Sequence, residues 1–422
     1  MPFREYARKG IHFLLSNQNP DKGIPGTKPG DVSGCWTTAE ALEIFLLSSH
    51  FQKEYIPMAK DMLRFLLDTK LPQGGWPLVV GSTQISTMAT GHALAALIIS
   101  KKVFSCESRL FTEINDAISN AEEWLKRNQN SDGGWGVEPE SSYGKESRMI
   151  STCYALRGYF ELGYTTENSK AVRNGIKYLL DVANKDGGWG GKMGLKSDPD
   201  NTARALIALI RSKKYDSSSP MIKKGVKFIL KSRHSKSLWR VDTESYVSAG
   251  APGETIFNAN TPYDVLEAFI RCQYFGKEVG DLIQLFINSQ EDDGRWYTAN
   301  SHQGRPICTW PTSEAISVLD LAQEHYMKNM FQASESKSVS SWKLASIILT
   351  IATITQFLYI CGFYNTISIW WSSLSESWKQ AIVFGVIVAL IIGIVVNVIT
   401  SKLYTFLNRL KERSKNTEEV KK

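Results

Sequence analysis

One sequence unit recurs six times along this chain, and three of its copies end in Gly-Gly-Trp. The clearest copy runs from Ala121 through Gln129 to Asp132-Gly133-Gly134-Trp135, and the others begin near Lys9, Asp61, Gly175, Lys224 and Leu282. Their aromatic or apolar marks fall at Phe13, Phe65, Trp124, Tyr178, Phe228 and Leu285, a period of about 50–60 residues that belongs to repeat architectures. Each copy holds two helical stretches. The first, such as 171–182, carries apolar residues at helical spacing and leads into the glycine turn. The second, such as 201–212, is shorter and apolar nearly all round, with Ala203, Ala205, Leu206, Ala208 and Leu209, as a buried helix is. Twelve helices of alternating character predict an all-α closed ring, with amphipathic helices outside and apolar helices inside. The glycines supply the left-handed stop after each outer helix. The Trp packs between neighbouring repeats while its N–H finds a backbone acceptor.

The repeats fill residues 1 to about 325 of 422, enough for one continuous core. The domain boundaries read as a toroid over 1–328, a polar serine-rich linker over 329–342, a two-helix membrane hairpin over 343–401 and a basic tail over 402–422. Leu344–Tyr364 and Gln380–Thr400 are each 21 residues without a charge. At ~1.5 Å rise, each reaches about 30 Å and can span a bilayer. Thr350, Thr353, Thr355 and Gln356 in the first span favour helix–helix association, and with it a homo-oligomer. Of the formal net charge of +7, the residues after Thr400 supply seven basic groups against three glutamates, a surplus of four. That surplus reads as topology rather than as a nucleic-acid footprint, and it places the toroid and both termini on the cytoplasmic side of the inner membrane. The N-terminus has no apolar stretch of signal-peptide length. Six scattered cysteines without a Cys-x-x-Cys pair indicate neither a disulfide framework nor a zinc ribbon.

The pattern aromatic–Leu–x3–Gln–x3–Gly–x–Trp is met in full from Trp124 to Trp135 and nearly from Leu285 to Trp296. It resembles the QW repeat of squalene–hopene and oxidosqualene cyclases. The stretch 9–18 matches its opening, although Pro25 stands where the Trp belongs. The sequences around Asp132–Gly136, Asp186–Gly190, Ser141–Tyr143 and Ser151–Leu156 are similar to the same superfamily. The resemblance implies an (α/α)6 toroid. Protein prenyltransferase β-subunits share that toroid, so the repeat alone names no reaction.

Aligning the copies on the Ala-Leu of each inner helix superimposes Trp36, Ile150, Asp200, Asn260 and Trp310, positions expected to face a central cavity. Only the fourth copy places carboxylates there, in Asp198-Pro199-Asp200-Asn201-Thr202-Ala203. This is similar to the Asp-x-Asp-Asp-Thr-Ala motif of class II terpene cyclases, with Asn201 in place of the last Asp. The resemblance implies that Asp200 protonates a polyprenyl substrate, that Asp198 shares its proton network, and that no cofactor is required. Trp36, Tyr154, Tyr263 and Trp310 are the aromatic faces that would meet an isoprenoid or other lipid ligand and its carbocation. The same Asp-Pro-Asp run is also what starts a helix: a capping carboxylate, Pro in the first turn and an acid favoured by the dipole. Arg204 would bind an anionic substrate group or neutralise Asp200, and in the second case Asp200 would be a poor acid. His92 opens the second inner helix and reads as a core histidine or as the orienter of an acid. A zinc site would need Asp200, Cys153 or Cys308, and His302, but the local motifs for one are missing. Two function classes follow: a membrane-anchored class II terpene cyclase-like enzyme, and a non-catalytic toroid that senses a ligand or binds a protein and signals to the hairpin. The first predicts a closed apolar cavity with Asp200 at its top, the second a polar or open one.

Overall fold

The computed structural model describes residues 2–48, 55–104, 108–142, 144–235, 238–239, 261–297 and 307–336. Twelve helices alternate between two circles, as the repeat predicts. The outer circle is α1 (Pro2–Ser16), α3 (Ile56–Thr69), α5 (Ser108–Arg127), α7 (Lys170–Asp181), α9 (Pro220–Lys231) and α11 (Lys277–Ser289). The inner circle is α2 (Cys35–Leu47), α4 (Thr87–Val103), α6 (Met149–Glu161), α8 (Pro199–Arg211), α10 (Thr261–Arg271) and α12 (Thr309–Ser336). Two short antiparallel pairs, β1 (Ile24–Pro25) with β2 (Ser33–Gly34) and β3 (Arg233–Ser235) with β4 (Leu238–Trp239), are the only strands among the described residues. Successive inner helices pack side by side from α2 to α10. The ring lies within the first of two units, Met1–Phe331.

The repeated residues turn out to be fasteners. In four copies the Trp is buried and its indole N–H donates to a carbonyl ten residues back: Trp76 to Leu66 (2.6 Å), Trp135 to Leu125 (2.7 Å), Trp189 to Leu179 (2.6 Å) and Trp296 to Phe286 (2.7 Å). The backbone N–H of each donates to a threonine hydroxyl on the inner helix that follows, Thr90, Thr152, Thr202 or Thr312. In the first copy the residue in the place of the Trp is Ile24 rather than the expected Pro25, and its N–H donates to Thr38 in the same way. Gln129 donates to Gly133 of its own turn and to Ala171 at the start of the next outer helix. Gln290 does the same for the sixth copy, but its second acceptor is Tyr6 in α1. That bond closes the ring, and Cys308 N–H donating to Thr27 reinforces it. Only glycine fits the turn at Gly133: φ is +93°, and a Cβ would sit 2.3 Å from the Asn174 carbonyl oxygen.

Inner helices approach closely where their side chains are small. A Cβ on Gly91 of α4 would lie 2.3 Å from the Tyr154 carbonyl oxygen of α6, which is backbone and has nowhere to go. Gly91→Ala is therefore expected to lower stability by about 1–3 kcal/mol in a chemical melt, despite the better helix propensity of Ala. A stabilised variant would show that α4 and α6 are free to part.

Two expectations need correction or fall outside view. The polar stretch assigned to a linker from 329 onward is helical as far as Ser336, because no Pro or Gly interrupts the chain between Pro311 and Gly362. Among the described residues no helix is long and apolar enough to cross a membrane. The two expected spans, 344–364 and 380–400, lie outside the described residues.

Candidate functional site

The fasteners fix a register. The threonine that receives the turn's backbone N–H, from Ile24 in the first copy and from the Trp in four others, falls at Thr38, Thr90, Thr152, Thr202 and Thr312 on five inner helices. Two residues further along stand Glu40, His92, Tyr154, Arg204 and Glu314, and the same step on α10 gives Asp264. Each of the six inner helices thus offers one titratable side chain at the same level of the ring. Buried polar groups of this kind persist when they bond to one another or to a ligand.

A central cavity of about 260 Å³ is lined by Glu40, Tyr154, Arg204, Asp264 and Glu314 at one end, just under the ~300–1,000 Å³ usual for small-molecule sites. Its other end reaches Leu47, Glu161, Arg211 and Arg271, the last turns of their helices. Exposure rises along that path, from 5% at Arg204 to 62% at Leu47. The cavity therefore opens toward the C-terminal ends of the inner helices. This corrects the expectation that first-turn residues face it. Among the described residues, Trp36, Asp200 and Trp310 do not line the cavity but pack beyond its closed end. The rings of Trp36 and Trp310 lie 6.3 Å apart, and Asp200 is fully buried.

The fourth copy divides its motif between two jobs. Asp198 is the N-cap of α8: its carboxylate accepts from Asn201 N–H at 2.8 Å, and the Asn201 side chain donates back to it at 2.7 Å. Asn201, the departure from the family motif, thus completes a cap. Asp200 turns toward the ring instead, where Arg204 Nε donates to Oδ2 at 3.3 Å. Arg204 also donates to Tyr154 Oη at 2.6 Å and makes a close ion pair with Asp264 at 2.6 Å. So two carboxyls and one guanidinium meet, and the second carboxyl comes from α10.

Burial shapes the proton inventory of this end. It pushes Asp264 well above the usual carboxyl range, against the pull of Arg204 and with the help of the Asp200 charge. Burial and then Asp264 push Glu314 well up too, and burial lifts Glu40 to about 8. Desolvation, with Arg157 and Arg204 nearby, drives His92 well below its ordinary value, so its ring is neutral. Both His92 nitrogens are buried without a protein partner among the described residues, and the ring lies 4.4 Å from that of Tyr154. Three carboxyls whose protonated forms burial favours thus cluster around Arg204.

Nearer the opening, Arg157 reaches across the small residues of α4 to Glu43 of α2 at 2.6 Å. Arg211 pairs with Glu161, and Arg271 with Glu267 at 2.6 Å. Burial alone would raise Glu267, but Arg271 and Arg157 outweigh it and hold the group low.

Of the residues singled out in the sequence, Cys153, Tyr154, Arg204 and Tyr263 line the cavity, with Tyr263 stacked on Phe286 at 4.6 Å. Sequence reasoning missed Glu40, Asp264 and Glu314. The signal was present: the alignment that superimposed Asp200 with Trp36 and Trp310 places these acids one helical turn further on. Among the described residues no three His, Cys, Asp or Glu side chains are arranged to hold a metal ion. His302 lies outside the described residues.

Against this geometry stand the relatives. The family described as squalene–hopene cyclase C-terminal domain matches residues 30–193 and 152–307. Drimenyl diphosphate synthase from Streptantibioticus cattleyicolor is 29% identical over 205 residues, which is 47% of this chain and 35% of that protein. A probable squalene–hopene cyclase from Sinorhizobium fredii is 22% identical over 249 residues, 54% of this chain and 37% of the relative. The chain thus spans only about a third of the length of these curated relatives. Among solved structures, a variant of the type II terpene cyclase MstE from Scytonema, in complex with geranylgeranyl dihydroxybenzoate as substrate, superposes with a TM-score of 0.50. It is 15% identical and covers 77% of this chain and 98% of the other. An α-1,6-mannanase from Salegentibacter superposes at 0.53 with 9% identity over 76% of this chain and 99% of its own. The toroid fold is therefore shared across different chemistries. The profile match covers well over half of the sequence, and the homologues are terpene cyclases: the chain belongs to the squalene–hopene cyclase C-terminal domain family.

Proposed function

We propose that this protein is a class II terpene cyclase-like enzyme, in which the acid network at the closed end of the cavity protonates a polyprenyl substrate. The observation that carries the reading is the Arg204 guanidinium held between Asp200 at 3.3 Å and Asp264 at 2.6 Å. It brings the motif aspartate together with a second carboxyl, whose protonated form burial favours, in a site shielded from water. With Arg204 on Asp200, the mobile proton belongs to the pair and is replenished from Asp264, rather than being held by Asp200 alone. Burial makes Asp264 and Glu314 weak acids. Weak acids match an acceptor more basic than a bare alkene, so an epoxide oxygen on the polyprenyl chain is the favoured site of protonation. Residues 344–364 and 380–400 would anchor the toroid at the cytoplasmic face, where an isoprenoid can leave the lipid for the cavity.

A second reading has its own observation. The cavity wall carries Arg–Glu pairs where a carbocation would be better served by aromatic faces, and this favours a non-catalytic toroid that binds a polar ligand and reports to the hairpin. The two separate on one experiment: squalene, its terminal epoxide and prenyl diphosphates of sesquiterpene and diterpene length, supplied to the full-length protein and to Asp200→Asn. A cyclic product that falls at least about 100-fold in the variant supports acid catalysis. No product from any substrate, or equal product from both proteins, leaves the binding reading.

A further inference from the structure

Five of the six outer helices interleave acids with their bases: Glu5 in α1, Asp61 and Asp68 in α3, Glu113 and Asp116 in α5, Asp181 in α7, and Glu278 and Asp281 in α11. The sixth does not. Helix α9 carries Lys223, Lys224, Lys227 and Lys231 and no acid at all. At about 100° per residue these four lysines fall within an arc of about 100°, with Ile222, Gly225 and Ile229 on the opposite side. Burial agrees with that wheel: the four lysines are exposed and the other three residues are buried. Like charges at i and i+4, as in Lys223, Lys227 and Lys231, repel one another and weaken a helix. Met221, Val226, Phe228 and Leu230, each half-buried, border the row on its two sides.

The basic row continues to the rim of the cavity. Arg211 lines the opening, and Lys213 and Lys214 follow it in the turn between α8 and α9, both exposed. Lys213 holds φ +60°, a left-handed conformation unfavourable to a side chain, so its amine stands there against the backbone preference. None of these six lysines has an ion pair or a side-chain hydrogen bond among the described residues. Acids on neighbouring elements are already engaged: Asp181 with Lys177, Asp216 with Ser218 and Ser219, and Glu278 and Asp281 with Arg233.

We infer that the outer face of α9 docks on a lipid leaflet that carries anionic headgroups. Six amines on flexible stems suit a fluid array of phosphates, whereas a fixed acidic partner is better read by planar guanidiniums, and the row contains none. The half-buried apolar border suits the headgroup region, in which a basic amphipathic helix lies flat. The inference rests on the proposed anchoring only for its setting, since the uncharged runs 344–364 and 380–400 would bring a membrane within reach. Its chemistry rests on α9. Each lysine near an anionic leaflet is worth about fivefold in partition, so the four on α9 together supply roughly 600-fold. Lys213 and Lys214 bring the rim of the cavity toward the same surface.

The test is lysine acetylation, read residue by residue by mass spectrometry on the full-length protein in lipid nanodiscs. One set of discs holds phosphatidylcholine alone, and the other contains about 30 mol% phosphatidylglycerol to supply the anionic surface potential. Lys223, Lys227 and Lys231 should react at least about tenfold more slowly in the anionic discs, and about 0.5 M NaCl should remove the difference. Lys9 on α1 and Lys126 on α5, both exposed, should react alike in the two. Lys223→Gln, Lys227→Gln and Lys231→Gln combined should restore the reactivity of Lys224 in the anionic discs. A protein that enters no disc sinks the anchor and not the face, and the same labelling is then read with vesicles of the two compositions added in solution. Equal labelling of the α9 lysines with both lipids would overturn the inference. So would slower labelling with polyglutamate or duplex RNA and none with anionic lipid, which would give the face to a soluble polyanion.

Discussion

Trp135→Ala is expected to lower the unfolding free energy by about 3–5 kcal/mol, a large share of the roughly 5–15 kcal/mol that holds a typical domain together. Trp135 is fully buried, and its indole N–H donates to Leu125 on α5 while its backbone N–H donates to Thr152 on α6. Its ring lies against Gly175 of α7, close enough that a Cβ there would come within 3.1 Å of it. One side chain therefore joins two repeats. Truncation removes the apolar volume, leaves a void at the seam and strands the Leu125 carbonyl. Trp135→Phe separates these effects: the ring volume mostly survives, and the lost indole donor alone should cost about 1–3 kcal/mol. Urea unfolding of the three proteins decides it. A loss under 1 kcal/mol for Trp135→Ala would mean the seam is held by something other than the repeat's signature residue.

The same residues explain what the sequence could and could not disclose. Trp135, Gln129 and Gly133 serve local, repeated geometry, so their roles are visible as a period. The ring and its twelve helices follow from that period, and ring closure only adds that the acceptor for Gln290 is Tyr6 rather than a seventh copy. The site is legible to a lesser degree. Asp198 and Asp200 stand out because two acids flank a proline at the start of an apolar helix. Which of them caps and which faces the ring depends on α8 rotating Asp200 toward α10, and no pattern within one repeat records that rotation. Glu40, Asp264 and Glu314 are singletons in separate copies, each ordinary in its local context. Their meaning exists only when six helices bring them to one level. The cavity's direction is hidden for a related reason: alternation along a helix says which face is inside, but says nothing of which end stays open.

Glu40→Gln should remove much of a pH dependence that this acid ring builds into the fold. In the native state burial lifts Glu40 to about 8 from its ordinary 4.5. Below pH 4.5 the carboxyl is protonated whether the chain is folded or not, and the native state bears no penalty. Between pH 4.5 and about 8 the unfolded chain ionises while the native one keeps its proton, so each pH unit costs the native state about 1.4 kcal/mol. The loss is complete once pH passes the folded value. Glutamine keeps the shape and cannot ionise, so the variant should gain about 3 kcal/mol on the parent between pH 5.5 and 8.5. Glu314 is raised in part by the Glu40 charge, so its titration moves with the substitution and the difference reads the two acids together. Chemical unfolding of both at the two pH values reads it directly, and an equal pH dependence would place the Glu40 carboxyl in contact with water.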